Sequence, residues 1–207
     1  MRLSFVSALA ASVCACYSQS LSLGVAGGGR LTDDIAGNAT SESKRYLVGP
    51  EVELGLPFGL AVEVDGIYRR EGFSSTLLAP DVSNNVNGRA NSWEFPILLK
   101  YKTAFPVVKP FVEAGYAPRF ISGTETGASC GNINPLCQPL ATNTSWSTSH
   151  GLVLGGGVQV GLGPLHISPE VRYTRWNNSA IGVTQIFSFH STQNQLDALV
   201  GITWKVR

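Results

Sequence analysis

The chain has 207 residues, with 15 Lys and Arg against 14 Asp and Glu, 14% charged residues, 43% hydrophobic residues and a formal net charge of +1. That length suits one domain or two small ones; the balanced charge leaves no electrostatic footprint for nucleic acid, and the supply of aromatic and β-branched residues excludes a disordered chain. The charged fraction lies well below the roughly 25% of a soluble domain, yet beyond the first 20 residues no run approaches the roughly 18 continuous apolar residues of a membrane helix.

In chain order, the first segment is Met1-Arg2 followed by an uncharged apolar or small stretch from Leu3 to Ala15. One positive charge, a short apolar core and small residues up to Ser20 predict a secretory signal peptide over 1–20, cleaved near Ser18 or Ser20. Val13-Cys14-Ala15-Cys16 also loosely resembles a lipobox, and a buried first strand or helix is the plainer alternative. Cys14 and Cys16 leave with such a signal. Cys130 and Cys137 remain, in a Gly/Asn/Pro-rich stretch of an exported chain, and are expected to form a disulfide.

From Leu21 onward the apolar pattern has period two, which places alternate side chains on opposite faces of a strand. The first strand carries Leu21, Leu23 and Val25, and the second Tyr46, Val48, Val52 and Leu54. The third runs from Leu60 through Val62 and Val64 to Tyr68 and Arg69. Trp93 to Tyr101 forms the fourth, and Val112 to Phe120 the fifth. Leu152 to Val160, Ile167 to Tyr173 and Leu196 to Trp204 complete a set of eight. Each has one apolar and one polar face and about ten to fourteen residues, enough for the roughly 9–11 that a tilted strand needs to cross hydrocarbon.

The connections alternate in length. Pro57-Phe58-Gly59, Pro106 to Pro110 and Gly161 to Leu165 are short; 31–43, 72–91, 121–149 and 177–193 read as long polar loops. Short turns on one side and long loops on the other are the pattern of an outer-membrane barrel. Tyr46, Tyr68, Trp93, Phe95, Phe120, Trp146, Tyr173 and Trp176 fall toward the long-loop ends, and Phe58, Tyr101, Phe105, Phe111 and Trp204 toward the short-turn ends. Two aromatic bands are what interfacial girdles require. The expected fold is all-β, an eight-stranded antiparallel up-and-down transmembrane barrel over residues 21–207.

This pattern resembles the eight-stranded bacterial outer-membrane barrels of the kind formed by the OmpA transmembrane domain and OmpX. The resemblance covers the mature chain and rests on the hairpin pattern, the loop asymmetry and the final strand from Leu196 to Arg207, with Pro169-Glu170-Val171-Arg172-Tyr173 similar to a seventh strand. It differs at the end, where Trp204 is followed by Lys205-Val206-Arg207 instead of closing on an aromatic residue. The resemblance implies a place in the bacterial outer membrane and a role in envelope integrity, adhesion or resistance to host defence; a few relatives of this kind modify lipids. It also implies outer-membrane lipid as surroundings and recognition of the C-terminal strand by the barrel-assembly machinery.

An eight-stranded barrel is just wide enough for side chains to fill it. The polar faces therefore predict an interior charge network of Arg45, Glu51, Glu53, Glu63, Asp65, Arg69, Glu94, Lys100, Glu113, Arg119, Glu170, Arg172, Asp197 and Lys205, paired because isolated buried ions are costly. Gly24, Gly49, Gly115, Gly155, Gly157 and Gly201 are expected to leave room opposite the long charged side chains. The three histidines, His150, His166 and His190, give no zinc spacing. His150 and His190 could meet at the outer rim beside Ser149 or Ser191, with Glu125 in a neighbouring loop, which permits a hydrolase without specifying one. The segment Arg175-Trp176-Asn177-Asn178-Ser179 lacks the histidine that lipid A deacylases of similar barrel type carry. Gly27-Gly28-Gly29 and Gly155-Gly156-Gly157 do not have phosphate-loop spacing. The reading is a non-enzymatic barrel without cofactor or metal, with 72–91 and 121–149 as binding surface. Its alternatives are a lipid-modifying barrel enzyme and a soluble lipocalin-like carrier, whose charges would face outward around an apolar pocket.

Overall fold

A computed structural model describes residues 20–32, 35–36, 40–41, 45–78, 82–103, 105, 107–131, 137–177, 190–191 and 193–206. Residues 1–19 of the expected signal segment and most of loop 177–193 lie outside these residues.

Eight antiparallel staves close on themselves. They are β1 (Ser20–Arg30), β2 (Tyr46–Gly55), β3 (Leu60–Asp65 continuing as Ile67–Leu78), β4 (Val82–Glu94 continuing as Ile97–Lys102), β5 (Val108–Gly131), β6 (Cys137–Leu162), β7 (Leu165–Trp176) and β8 (Asn194–Lys205). Each pairs with its neighbour in sequence, and β1 pairs with β8 from Ser22 opposite Lys205 to Arg30 opposite Asp197, so the ring has no open edge through its girth. Closure satisfies every backbone group within the barrel wall, which lipid requires of a spanning sheet.

Short turns close one end. Pro57–Gly59 forms a single 3-10 turn in which Phe58 and Gly59 have φ of 65° and 79°. Gly163 with φ of 67° makes the turn between β6 and β7, and the Thr103 amide donates to the Pro110 carbonyl across the second turn.

Alternation fixes the two faces of the wall. Val25, Val112, Leu152, Leu154 and Ile202 are 45–66% exposed, while Glu63, Ser149, Lys100 and Arg119 on the opposite face are 0–1% exposed. The barrel is therefore apolar outside and charged inside. That polarity is the reverse of a lipocalin-like carrier and removes that alternative.

The other end departs from the expected loops. Stretches 72–91 and 121–149 are strand for most of their length: β5 and β6 run 24 and 26 residues, well over the roughly 9–11 needed to span. Leu78 pairs opposite Ser83, Val82 opposite Gly131 and Cys137 opposite Cys130, so β3, β4, β5 and β6 continue as a four-stranded sheet past the barrel rim. These segments lack apolar alternation in sequence. Their Ser, Thr, Asn and Val residues pair laterally through backbone bonds, to which a period-two search for half-buried strands is blind.

Candidate functional site: the barrel interior and its two mouths

The inward faces stack into layers. At the centre, Arg172 of β7 reaches Asp65 at 2.5 Å, Glu63 at 2.6 Å, Glu113 at 3.0 Å and Glu170 at 2.5 Å. Lys100 of β4 lies 2.5 Å from Glu63 and 3.3 Å from both Glu113 and Glu170. Glu51 of β2 completes this layer with no cation within pairing distance among the described residues; its carboxylate sits against Gly201, where a Cβ would collide with it. Five carboxylates thus share two cations.

Nearer the extended sheet, a small apolar layer of Ala26, Leu47, Ile67 and Leu199, with Leu98, Ala117, Val153 and Trp176, fills the bore. Above it Arg30 holds Asp197 at 2.8 Å and Glu94 at 3.4 Å, and Arg69 pairs with Glu71. Arg119 donates to the Ser149 hydroxyl at 2.9 Å and covers the Trp176 ring 4.0 Å from its centroid, a cation–π contact inside the wall. Trp176 also donates its indole N–H to the Gln195 amide oxygen.

Twelve of the fourteen interior residues expected from sequence are buried; Arg45 and Lys205 are exposed. Both keep the inward parity of their strands but lie at the ends of β2 and β8, where the bore opens to solvent. Arg30 and Glu71 join the interior, each one step further along an inward face, and Lys102 follows Lys100 down to pair with Glu53 at 2.5 Å. Simple continuation of the alternation finds all three.

Two aromatic placements also change. Trp176 and Phe111 are 2% and 5% exposed and point inward, the latter beneath Lys100 at 4.4 Å from its ring centroid. The remaining bands face outward: Trp93 stacks beside Phe95 at 6.2 Å, and Phe95 meets Phe120 edge-on at 6.0 Å, while Phe58, Tyr101, Phe105 and Trp204 are exposed at the turn end. Among the glycines, Gly155, Gly157 and Gly201 face interior carboxylate side chains as expected. Gly24, Gly49 and Gly115 do something else, since a Cβ there would strike the carbonyl oxygens of Ile202, Gly66 and Ile97 in the adjacent stave.

The oxygens of Glu63, Glu113 and Glu170, and those of Glu51, Glu53 and Glu63, each fall within 4.8 Å of one another. In both triplets a lysine or arginine already stands among the carboxylates, so a metal ion would have to displace a protein cation.

Ser149 and His150 do not come together as a nucleophile and base. His150 is exposed on the outer face, stacked on Tyr116 at 5.7 Å with a 2.5 Å hydrogen bond between Tyr116 Oη and His150 Nδ1. Ser149 points into the bore and is held by Arg119. Consecutive strand residues lie on opposite faces, so the wall separates this nucleophile from this base. Of His190 only the backbone is described, paired with Ala36, and Glu125 and Ser191 are likewise placed by backbone alone.

No known family matches the sequence, and no curated protein matches it. Solved structures do. Ail, the attachment invasion locus protein of Yersinia pestis, crystallised with the heparin analogue sucrose octasulfate, is 12% identical with a TM-score of 0.43, covering 90% of this chain and 96% of that one. The N-terminal β-barrel domain of Pseudomonas aeruginosa OprF is 14% identical with a TM-score of 0.44, covering 90% and 96%. Neisserial surface protein A is 16% identical with a TM-score of 0.43, covering 91% and 97%.

Proposed function

We propose that this chain is a closed, non-enzymatic barrel of the bacterial outer membrane that holds a four-stranded β platform outside the cell as a binding surface. The observation that carries this reading is the continuation of β3, β4, β5 and β6 far beyond the length a membrane needs, on a wall whose outer face is apolar and whose bore is filled with ion pairs. The apolar band fits hydrocarbon, the aromatic bands fit its two interfaces, and the short turns belong on the periplasmic side. The platform carries few charges: Asp81 and Arg89 within 72–91, and Glu125 alone within 121–149. Such a surface recognises partners through backbone and hydroxyl hydrogen bonds more than through ion pairs.

The test is a pair of strains, one displaying the full chain and one a variant in which residues 76–84 and 128–139 are replaced by short turns. Both proteins should run as compact unheated barrels. Only the full chain should promote attachment of cells to a host-cell monolayer; equal attachment by the trimmed variant would overturn the surface role.

A further inference from the structure

At the turn end of the barrel the bore opens into a cavity of about 460 Å³, the scale of a small-ligand pocket. Its walls come from the turn-side ends of all eight staves and from the turns, bringing together Lys102, Lys109, Lys205, His166, Gln159 and Ser22. Glu53 is the one carboxylate in this lining, and Lys102 at 2.5 Å already neutralises it while donating to Gln159 Oε1 at 3.1 Å. Lys109 and Lys205 then add two positive charges, and neither has a carboxylate within ion-pair distance among the described residues. Directly opposite His166 in the β7–β8 ladder is Thr203, 1% exposed and inward-facing. The Thr203 hydroxyl and His166 Nδ1 are both buried and without a hydrogen-bond partner among the described residues. Unpartnered buried polar groups beside two uncompensated cations are a cost to the protein alone, and the Thr203 hydroxyl and a His166 Nδ1 that carries a proton can donate to an anion.

We propose that this mouth is a binding site for a phosphate-class anion, with Lys109 and Lys205 supplying charge and His166 and Gln159 supplying hydrogen bonds, and with Thr203 in the layer next to His166. Partial enclosure strengthens each of these contacts relative to open water. A phosphate group of this kind can arrive free in solution or on the headgroup of a lipid at the barrel rim.

The chain without its first 20 residues, folded in dodecylmaltoside micelles that contain no phosphate, is titrated with inorganic phosphate at constant ionic strength while amide signals of Thr203, His166 and Gln159 are followed by NMR. The signals should move together and saturate, and the double variant Lys109→Gln/Lys205→Gln should weaken the midpoint by about tenfold or more. Both lysines lie at the mouth, so the variant keeps its barrel, verified by its unheated gel mobility; Arg175→Gln on the outer wall should leave the midpoint unchanged. Shifts that never saturate, or an identical curve in the double variant, would overturn the proposal. Adding phosphatidylglycerol to the micelles assigns the source: matching shifts identify a lipid ligand, and a response to inorganic phosphate alone identifies a soluble one.

Discussion

Arg172 is the residue on which the central layer turns. It touches four carboxylates from β3, β5 and its own strand while only 4% exposed. Removing one partner of a buried pair leaves uncompensated charge behind, typically at a cost of about 3–5 kcal/mol. Arg172→Gln should therefore lower the urea midpoint of the barrel in vesicles by a corresponding amount. Glu51 sits in the same layer with no cation at pairing distance among the described residues, so Glu51→Gln breaks no ion pair. Its midpoint should match or exceed that of the unaltered chain, within about 1 kcal/mol. If Glu51→Gln proved as damaging as Arg172→Gln, the account of this layer as acid-rich and cation-limited would be wrong.

At the scale of single elements, the eight staves were legible because a barrel wall obeys one rule. Val62, Val64, Leu152 and Leu154 had to lie on the outer face, and Glu63, Asp65 and Glu113 had to face the bore, whatever their neighbours were. The platform was not legible because Ser74, Asn87, Thr124 and Ser147 are held there by backbone pairing with neighbouring strands, and no apolar alternation marks them. Trp176 escaped for a related reason: strand-end position suggested a girdle, while parity with Arg172 and Thr174 sends it inward to Arg119. The layered pairing of the interior depends on distances between non-adjacent strands and could not be read from any one of them. The platform's outer hairpin bears on the expected disulfide. Cys130 and Cys137 are Cα partners across β5 and β6, and directly opposed strand residues lie about 4.5–5.5 Å apart, within disulfide reach. We propose that the bridge forms in the exported chain. The chain without its first 20 residues should show no thiol reactive to maleimide until reduced, and Cys130→Ser/Cys137→Ser should lose about 2–3 kcal/mol or less at the hairpin tip, read as faster proteolytic nicking there.

For the molecule as a whole, the near-zero net charge conceals a separation. The bore and its lower layer hold six of the 15 basic residues (Arg30, Arg69, Lys100, Lys102, Arg119, Arg172) and nine of the 14 acidic ones (Glu51, Glu53, Glu63, Asp65, Glu71, Glu94, Glu113, Glu170, Asp197). Among the described residues, the interior is acidic by three charges. The same packing decides permeability. Lys100, Arg172 and their carboxylates bridge β3, β4, β5 and β7 across the bore, and Ala26, Leu47, Ile67, Leu98, Val153, Leu199 and the Trp176 ring close the level above. A water-filled path would have to part several ion pairs at once and leave each charge buried alone. The purified barrel in planar bilayers should therefore show baseline current with no stable conducting level under applied voltage. Boiling should convert it from a fast-migrating folded band to a slower unfolded one, as the closed wall resists detergent until heated. A steady conductance in the unaltered chain would mean that the charge layers are a lining and not a plug, and a chain that stays monomeric without detergent would remove the membrane itself from the account.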